Sequence, residues 1–163
     1  MASSQQEQSF TARALNQQEL DIEELARGVY AEDAMGGPQA WAAVAHTMNN
    51  RRKSGKYGES WNEVLNKSLS SVRKNSEQYK LTANGGKDMN QYERNVMAKI
   101  KQTVSGVING QIPDNTNGAT HFENIEKYGV PYWAKEMDAV SRVGEHTYFK
   151  EKSQPPPTIR GGE

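Results

Sequence analysis

Glu32 is the side chain in this sequence best placed to do chemistry. Ile22, Leu25, Ala26 and Val29 share one face of a helix at i, i+3, i+4 and i+7 spacing, and Glu32 continues that face beyond Val29. A carboxylate on a core-facing stripe is costly to bury in its charged form. Glu32 also falls near the helix C-terminus, where the helix dipole disfavours negative charge. Both effects push its pKa upward, and a carboxylic acid that keeps its proton near neutral pH can act as a general acid. The alternative is a Glu32 that turns to solvent in the last helical turn. Cysteine is absent, so the chain offers neither a thiolate nor a disulfide framework. The three histidines, His46, His121 and His146, lack metal-ligand spacing, and no metal or other cofactor is expected.

The elements that must position Glu32 are marked on both sides of it. Asn16 followed by Glu19 has the form of a capping box and predicts the start of the helix that carries Glu32. Gly36, Gly37 and Pro38 break the chain, and Pro38 suits the first turn of a second helix. In that helix Trp41, Val44, Ala45 and Met48 form one apolar face, while Ala43, His46 and Asn50 form the other. Small or apolar residues on most sides predict a central, buried helix. His46 then reads as a core histidine, and Asn50 either points into a site or caps the helix end.

Ser60 and Glu63 form another capping-box pattern, predicting a short helix through Leu65. Residues 66–87 read as irregular and polar, and Asn84-Gly85-Gly86-Lys87 as the turn of a hairpin or a flexible loop. Asp88 is expected to open a long helix with the core stripe Met89, Tyr92, Val96, Ile100, Val104 and Val107, stopped by Asn109-Gly110. Beyond the Pro113-Asp114-Asn115 turn, residues 119–122 read as extended, 132–137 as a short helix and 146–149 as a terminal strand. These elements make a mainly α domain (α+β) with a small β element, spanning residues 16–150. Residues 1–15 read as a polar Gln/Ser-rich arm, disordered or docking onto a neighbouring protein. Residues 151–163 read as an extended Pro-rich tail.

At 163 residues the chain suits one domain. Twenty Lys and Arg balance twenty Asp and Glu, which gives no electrostatic reason to expect nucleic acid or anionic lipid as a partner. Any attraction to an anionic surface must come from a local patch. No run is apolar and long enough to span a bilayer, and the N-terminus lacks the apolar core of a secretory signal.

Taken in order, several short motifs resemble the cell-wall hydrolase family that includes the spore-cortex-lytic enzymes. The first is the run Tyr30-Ala31-Glu32, Gly36-Gly37-Pro38, Trp41 to Met48 and Asn50-Arg51. Gln78-Tyr79 resembles the family's Gln-Phe step, and Asn117 to Phe122 its Gly-Ala-aromatic-Phe strand. Trp133-Ala134 and Val143 to Tyr148 resemble its closing Trp-Ala and Ile-Gly-Asn-His-x-Phe run. Two departures stand at the site rim. Gly36 occupies the family's usual second acidic position, and Ala34-Met35 replaces an Arg-Gly pair.

The resemblance implies a lysozyme-like fold and cleavage of the peptidoglycan glycan strand, with Glu32 as the catalytic acid. Such cleavage needs a proton on the leaving oxygen and stabilisation of an oxocarbenium-like transition state. Asp33, Glu59, Glu77 and Glu123 are the candidate partners for a two-carboxylate hydrolysis, and Asp33, about 100° round the helix from Glu32, is a poor one. The family's lytic transglycosylase chemistry needs no second carboxylate, because the muramoyl 6-hydroxyl attacks the anomeric carbon and one Glu serves as acid and then base. That non-hydrolytic route is the expectation. Asn50, Gln78, Tyr79, His121, Phe122 and Trp133 are the expected substrate-binding residues: amides, a neutral histidine and an aromatic platform, with Phe122 and Trp133 alternatively in the core. His146 is expected at the surface or in a cap. A wall-cleaving enzyme without its own export signal is expected to be phage-associated, residing in a virion or in host cytoplasm before delivery, with residues 1–15 and 151–163 docking onto phage structural proteins. A structural phage-particle protein with this fold and little activity is the competing expectation.

Overall fold

The computed structural model describes residues 4–152, with side chains from residue 16 onward. Two long helices open the chain, α1 (Ser4–Asp33) and α2 (Pro38–Ser54). Short helices α3 (Trp61–Ser68), α4 (Ser70–Asn75) and α5 (Glu77–Leu81) follow, then a 3₁₀ turn at Asn84–Gly86 and the long α6 (Gln91–Ile108). The second part holds β1 (His121–Glu123), the single helical turn α7 (Ile125–Tyr128), a 3₁₀ turn at Tyr132–Glu136, and the hairpin of β2 (Met137–Val143) and β3 (His146–Glu151). The three strands form one antiparallel sheet in the order β1-β3-β2, with His121 opposite Phe149 and Val143 opposite His146. This is the mainly α fold with a small β element that the sequence predicts.

α2 is the hub. Trp41, Val44, Ala45 and Met48 pack with Leu25, Ala26 and Val29 of α1 and with Ile100, Val104 and Val107 of α6. On its other side Ala43 joins Ala119 and Tyr148 in a second cluster that seats the sheet. Every residue from Ala40 to Asn49 is buried, and the alanines let neighbouring backbones approach on both faces. His46 is buried as expected, with its Nε2 unpaired among the described residues.

Several boundaries differ from expectation. α1 begins at Ser4, so Asn16 lies inside the helix rather than capping it, and residues 4–15 belong to α1 rather than to a disordered arm. Residues 1–3 and most of the Pro-rich tail, 153–163, lie outside the described residues. Residues 66–87 are mostly helical: α4 and α5 are too short and polar to show apolar periodicity, and Ser76 caps α5 by accepting from the Tyr79 amide at 3.1 Å. α6 starts at Gln91, three residues after Asp88, because Asn90 and Glu93 complete a capping box. Its core stripe runs through Met97, Ile100, Val104 and Val107, which leaves Tyr92 off the stripe and 59% exposed. At α3 the pattern is half a box: Ser60 accepts from the Glu63 amide, while the Glu63 carboxylate accepts from Glu59 N instead.

Candidate active site

The end of α1 is held by its neighbour. The Trp41 indole N–H donates to the carbonyls of Asp33 and Ala34, at 3.0 and 3.2 Å, and so satisfies helix-terminal acceptors that would otherwise need water. The chain then turns through Gly37, whose φ of 87° favours glycine, and Pro38 enters α2 in its first turn. Gly36 has a separate reason to lack a side chain. A Cβ there would stand 2.4 Å from Asp33 Oδ2, so the Asp33 carboxyl fills the space over Gly36. A carboxylate therefore does lie at this rim, contributed by residue 33.

Glu32 faces a cleft of about 440 Å³ between the helical lobe and the sheet. The α1 end contributes Ala31, Glu32 and Asp33, and α2 contributes Met48 and Arg51. Across from them stand His121, Phe122 and Glu123 of β1, Tyr128 of α7, Trp133, and the Glu145-His146 tip of the hairpin. Burial, reinforced by the neighbouring charges of Glu123 and Asp33, raises the Glu32 pKa to about 7. Burial raises Asp33 as well, against the opposing influence of His146, whose Nδ1 lies 3.7 Å from Asp33 Oδ2.

The remaining polar groups are fixed. Arg51 donates from Nε to the Thr120 carbonyl at 2.6 Å and from Nη1 to Ser68 Oγ at 2.9 Å, and its guanidinium lies over the Tyr57 ring at 4.9 Å. It ties α2 to α3 and to the lead into β1 while placing a positive charge in the cleft wall. Burial and that charge push His121 down to about 4, so its ring is neutral at neutral pH. Nδ1 of His121 is hydrogen-bonded to the Thr120 hydroxyl at 3.0 Å, and the ring packs against Trp133 at 5.1 Å and Tyr57 at 5.9 Å. Tyr148 is fully buried, its hydroxyl has no hydrogen-bond partner among the described residues, and burial with the charges of Asp33 and Glu32 raises its pKa.

Of the residues expected from sequence, the fold brings Glu32, His121, Phe122 and Trp133 together. Asn50 is not in the cleft. Its amide donates to Asp114 Oδ2 at 3.0 Å and to the Ala119 carbonyl at 2.9 Å, clamping the loop that leads into β1. Gln78 lines a separate groove that shares only Ala31 and Asp33 with the cleft. Tyr79, expected as a substrate contact, is buried against α1 and does not line the cleft. Its hydroxyl donates to Glu24, and Arg27 lies over its ring at 4.1 Å. Its place in a polar stretch hid that ion-pair network. Asp33 and Glu123 are the only ones of the four candidate second carboxylates that line the cleft; Glu59 and Glu77 do not.

Arg51, Glu145, His146 and Tyr128 are cleft residues that sequence reasoning missed. His146, expected at the surface or in a cap, is buried there beside Phe122. Arg51 had a signal: it adjoins Asn50, and one step along a helix turns the side chain about 100° toward a different face.

A cleft of this kind, with one acid poised near neutrality between a helical lobe and a small sheet, suits acid–base cleavage of an extended polymer. The chain belongs to the cell wall hydrolase family, whose model matches residues 36–149, beginning just after Glu32. Its fold is similar to the catalytic domain of the germination-specific lytic transglycosylase SleB from Bacillus anthracis, at a TM-score of 0.59 and 23% identity, covering 80% of this chain and 93% of that one. The catalytic domain of the Bacillus cereus SleB protein is similar to the same extent, at TM-score 0.59 and 23% identity over 80% of this chain and 89% of its own. No curated protein matches the chain in sequence.

Proposed function

We propose that this cell wall hydrolase cleaves the glycan strand of peptidoglycan as a lytic transglycosylase, with Glu32 as the catalytic acid and then base. The observation that carries the reading is the Glu32 carboxyl, raised to about 7 inside the cleft. In its protonated form Glu32 gives its proton to the glycosidic oxygen as the bond to the anomeric carbon breaks. The resulting carboxylate then takes the proton of the muramoyl 6-hydroxyl, whose oxygen closes on the anomeric carbon to form the 1,6-anhydro ring. No water is consumed, and Glu32 ends protonated as it began. A group with a pKa near ambient pH serves both directions of this transfer. His121, Trp133 and Tyr128 supply a neutral hydrogen-bonding ring and aromatic surface for the sugars, and Arg51 offers a fixed cation to the strand.

Hydrolysis is the second reading, because Asp33 and Glu123 both line the cleft and either could orient a water. Digestion in ¹⁸O-water separates the two. Products that end in 1,6-anhydromuramic acid without label support transglycosylation, and label at the new chain end assigns hydrolysis. Delivery on a phage particle belongs to the same proposal and draws its support from the polar composition of the two ends of the chain.

A further inference from the structure

Beside the cleft lies a second hollow, of about 490 Å³, that the chemistry at Glu32 does not use. Lys53, Lys56, Lys150 and Lys152 line it, against one acidic residue, Glu151. Lys56 is engaged with Glu151 at 2.6 Å. Lys53, Lys150 and Lys152 form no ion pair among the described residues, although Asp138 faces Lys150 in the β2–β3 ladder. In a chain of balanced charge this is a local positive excess, of the kind that attracts anions to a concave surface.

The hollow and the cleft share a wall. Thr120 lines the hollow and its neighbour His121 lines the cleft. Tyr57 lines the hollow while its ring meets the His121 ring edge-on at 5.9 Å. A strand seated along the cleft can therefore send a side branch over the Tyr57–His121 ridge toward the lysines.

We propose that the lysine-lined hollow is a subsite for the carboxylates of the peptide branches that the glycan strand carries on its lactyl groups. This rests on the reading of the cleft as the site of glycan cleavage. The branches are the acidic part of an otherwise neutral polymer, so they are what a cationic hollow next to a sugar-binding cleft would recognise. Ammonium groups on flexible stems act as movable point charges and tolerate variation in the peptide better than a rigid guanidinium fork.

The test compares the full chain with the double variant Lys53→Glu/Lys150→Glu on two substrates: intact peptide-bearing murein, and glycan strands stripped of peptide by an amidase. The wild type should prefer the peptide-bearing polymer by about 5–10-fold in kcat/KM at low salt, the combined effect of a few exposed charge pairs. Added salt should shrink that preference. The variant should lose the preference while cleaving stripped strands within about 2-fold of wild type, since no exposed pair contributes to that substrate. The milder Lys53→Gln/Lys150→Gln variant should show an intermediate loss, and serves if the charge reversal impairs folding. A wild type that cleaves both substrates equally, or a variant that loses activity equally on both, overturns the subsite and leaves the glycan reading standing. A wild type that cleaves neither overturns both.

Discussion

With a pKa of about 7, Glu32 is roughly half protonated at neutral pH, whereas a glutamic acid in water is almost entirely carboxylate there. The cause is burial first and the charges of Glu123 and Asp33 second. If Glu32 is the acid, cleavage falls as pH rises through about 7, approaching tenfold per unit on the alkaline side. His121 stays neutral down to about 4 and should add no transition between those values. A pH–rate profile checks both statements, and activity flat to pH 9 would contradict the assignment. The same shift bears on stability. The folded pKa lies above the unfolded value of 4.5, so the folded state holds the proton more tightly between pH 4.5 and 7 and stability falls as pH rises through that window. Glu32→Gln should therefore melt above wild type at pH 8, by roughly 2–4 °C for each kcal/mol released, with the gap closing below pH 4.5. Melting curves at pH 4 and 8 read this out.

Among the elements, those with long apolar stripes were legible in sequence, and those held by polar contacts were not. The Leu25–Val29 face, the buried centre of α2 and the lower stripe of α6 follow from periodicity because burial of apolar area decides them. Residues 66–87 show no hydrophobic period because α4 and α5 are short and are fixed by polar contacts: the Ser76 cap on α5, and the bonds from Arg73 and Tyr79 to Glu24 of α1. β2 was missed for a related reason: its residues alternate only weakly between exposed and half-buried. Site residues divide along the same line. Glu32 was found because it extends an apolar stripe, whereas Arg51, Glu145 and His146 enter the cleft through contacts distant in sequence. Tyr79 tests this division. Its hydroxyl joins the Glu24–Arg73 pair that links α5 and α4 to α1. Tyr79→Phe should cost about 1–2 kcal/mol of stability through the lost charge-assisted hydrogen bond. Glycan cleavage should be unchanged. Reduced kcat with an unchanged melting temperature would restore Tyr79 to the substrate groove.

For the molecule as a whole, function depends on α2 holding two lobes in register. One face of α2 packs on α1 and α6, and the other, through Ala43, on Tyr148 and the sheet. Glu32 comes from the first lobe, while His121, Phe122 and Trp133 come from the second, so the cleft exists only when both are assembled. Among the described residues no helix is long and apolar enough to cross a membrane. On the proposed mechanism Glu32, set in the cleft between the lobes, is the acid that cleaves a glycan strand seated there. Release of soluble fragments from purified peptidoglycan by wild type and by Glu32→Gln, both shown folded by their melting curves, tests that claim most directly. Gln keeps the shape of the side chain and removes the proton, so turnover should fall by on the order of 10²-fold or more with the fold intact. Turnover by Glu32→Gln close to wild type would contradict it.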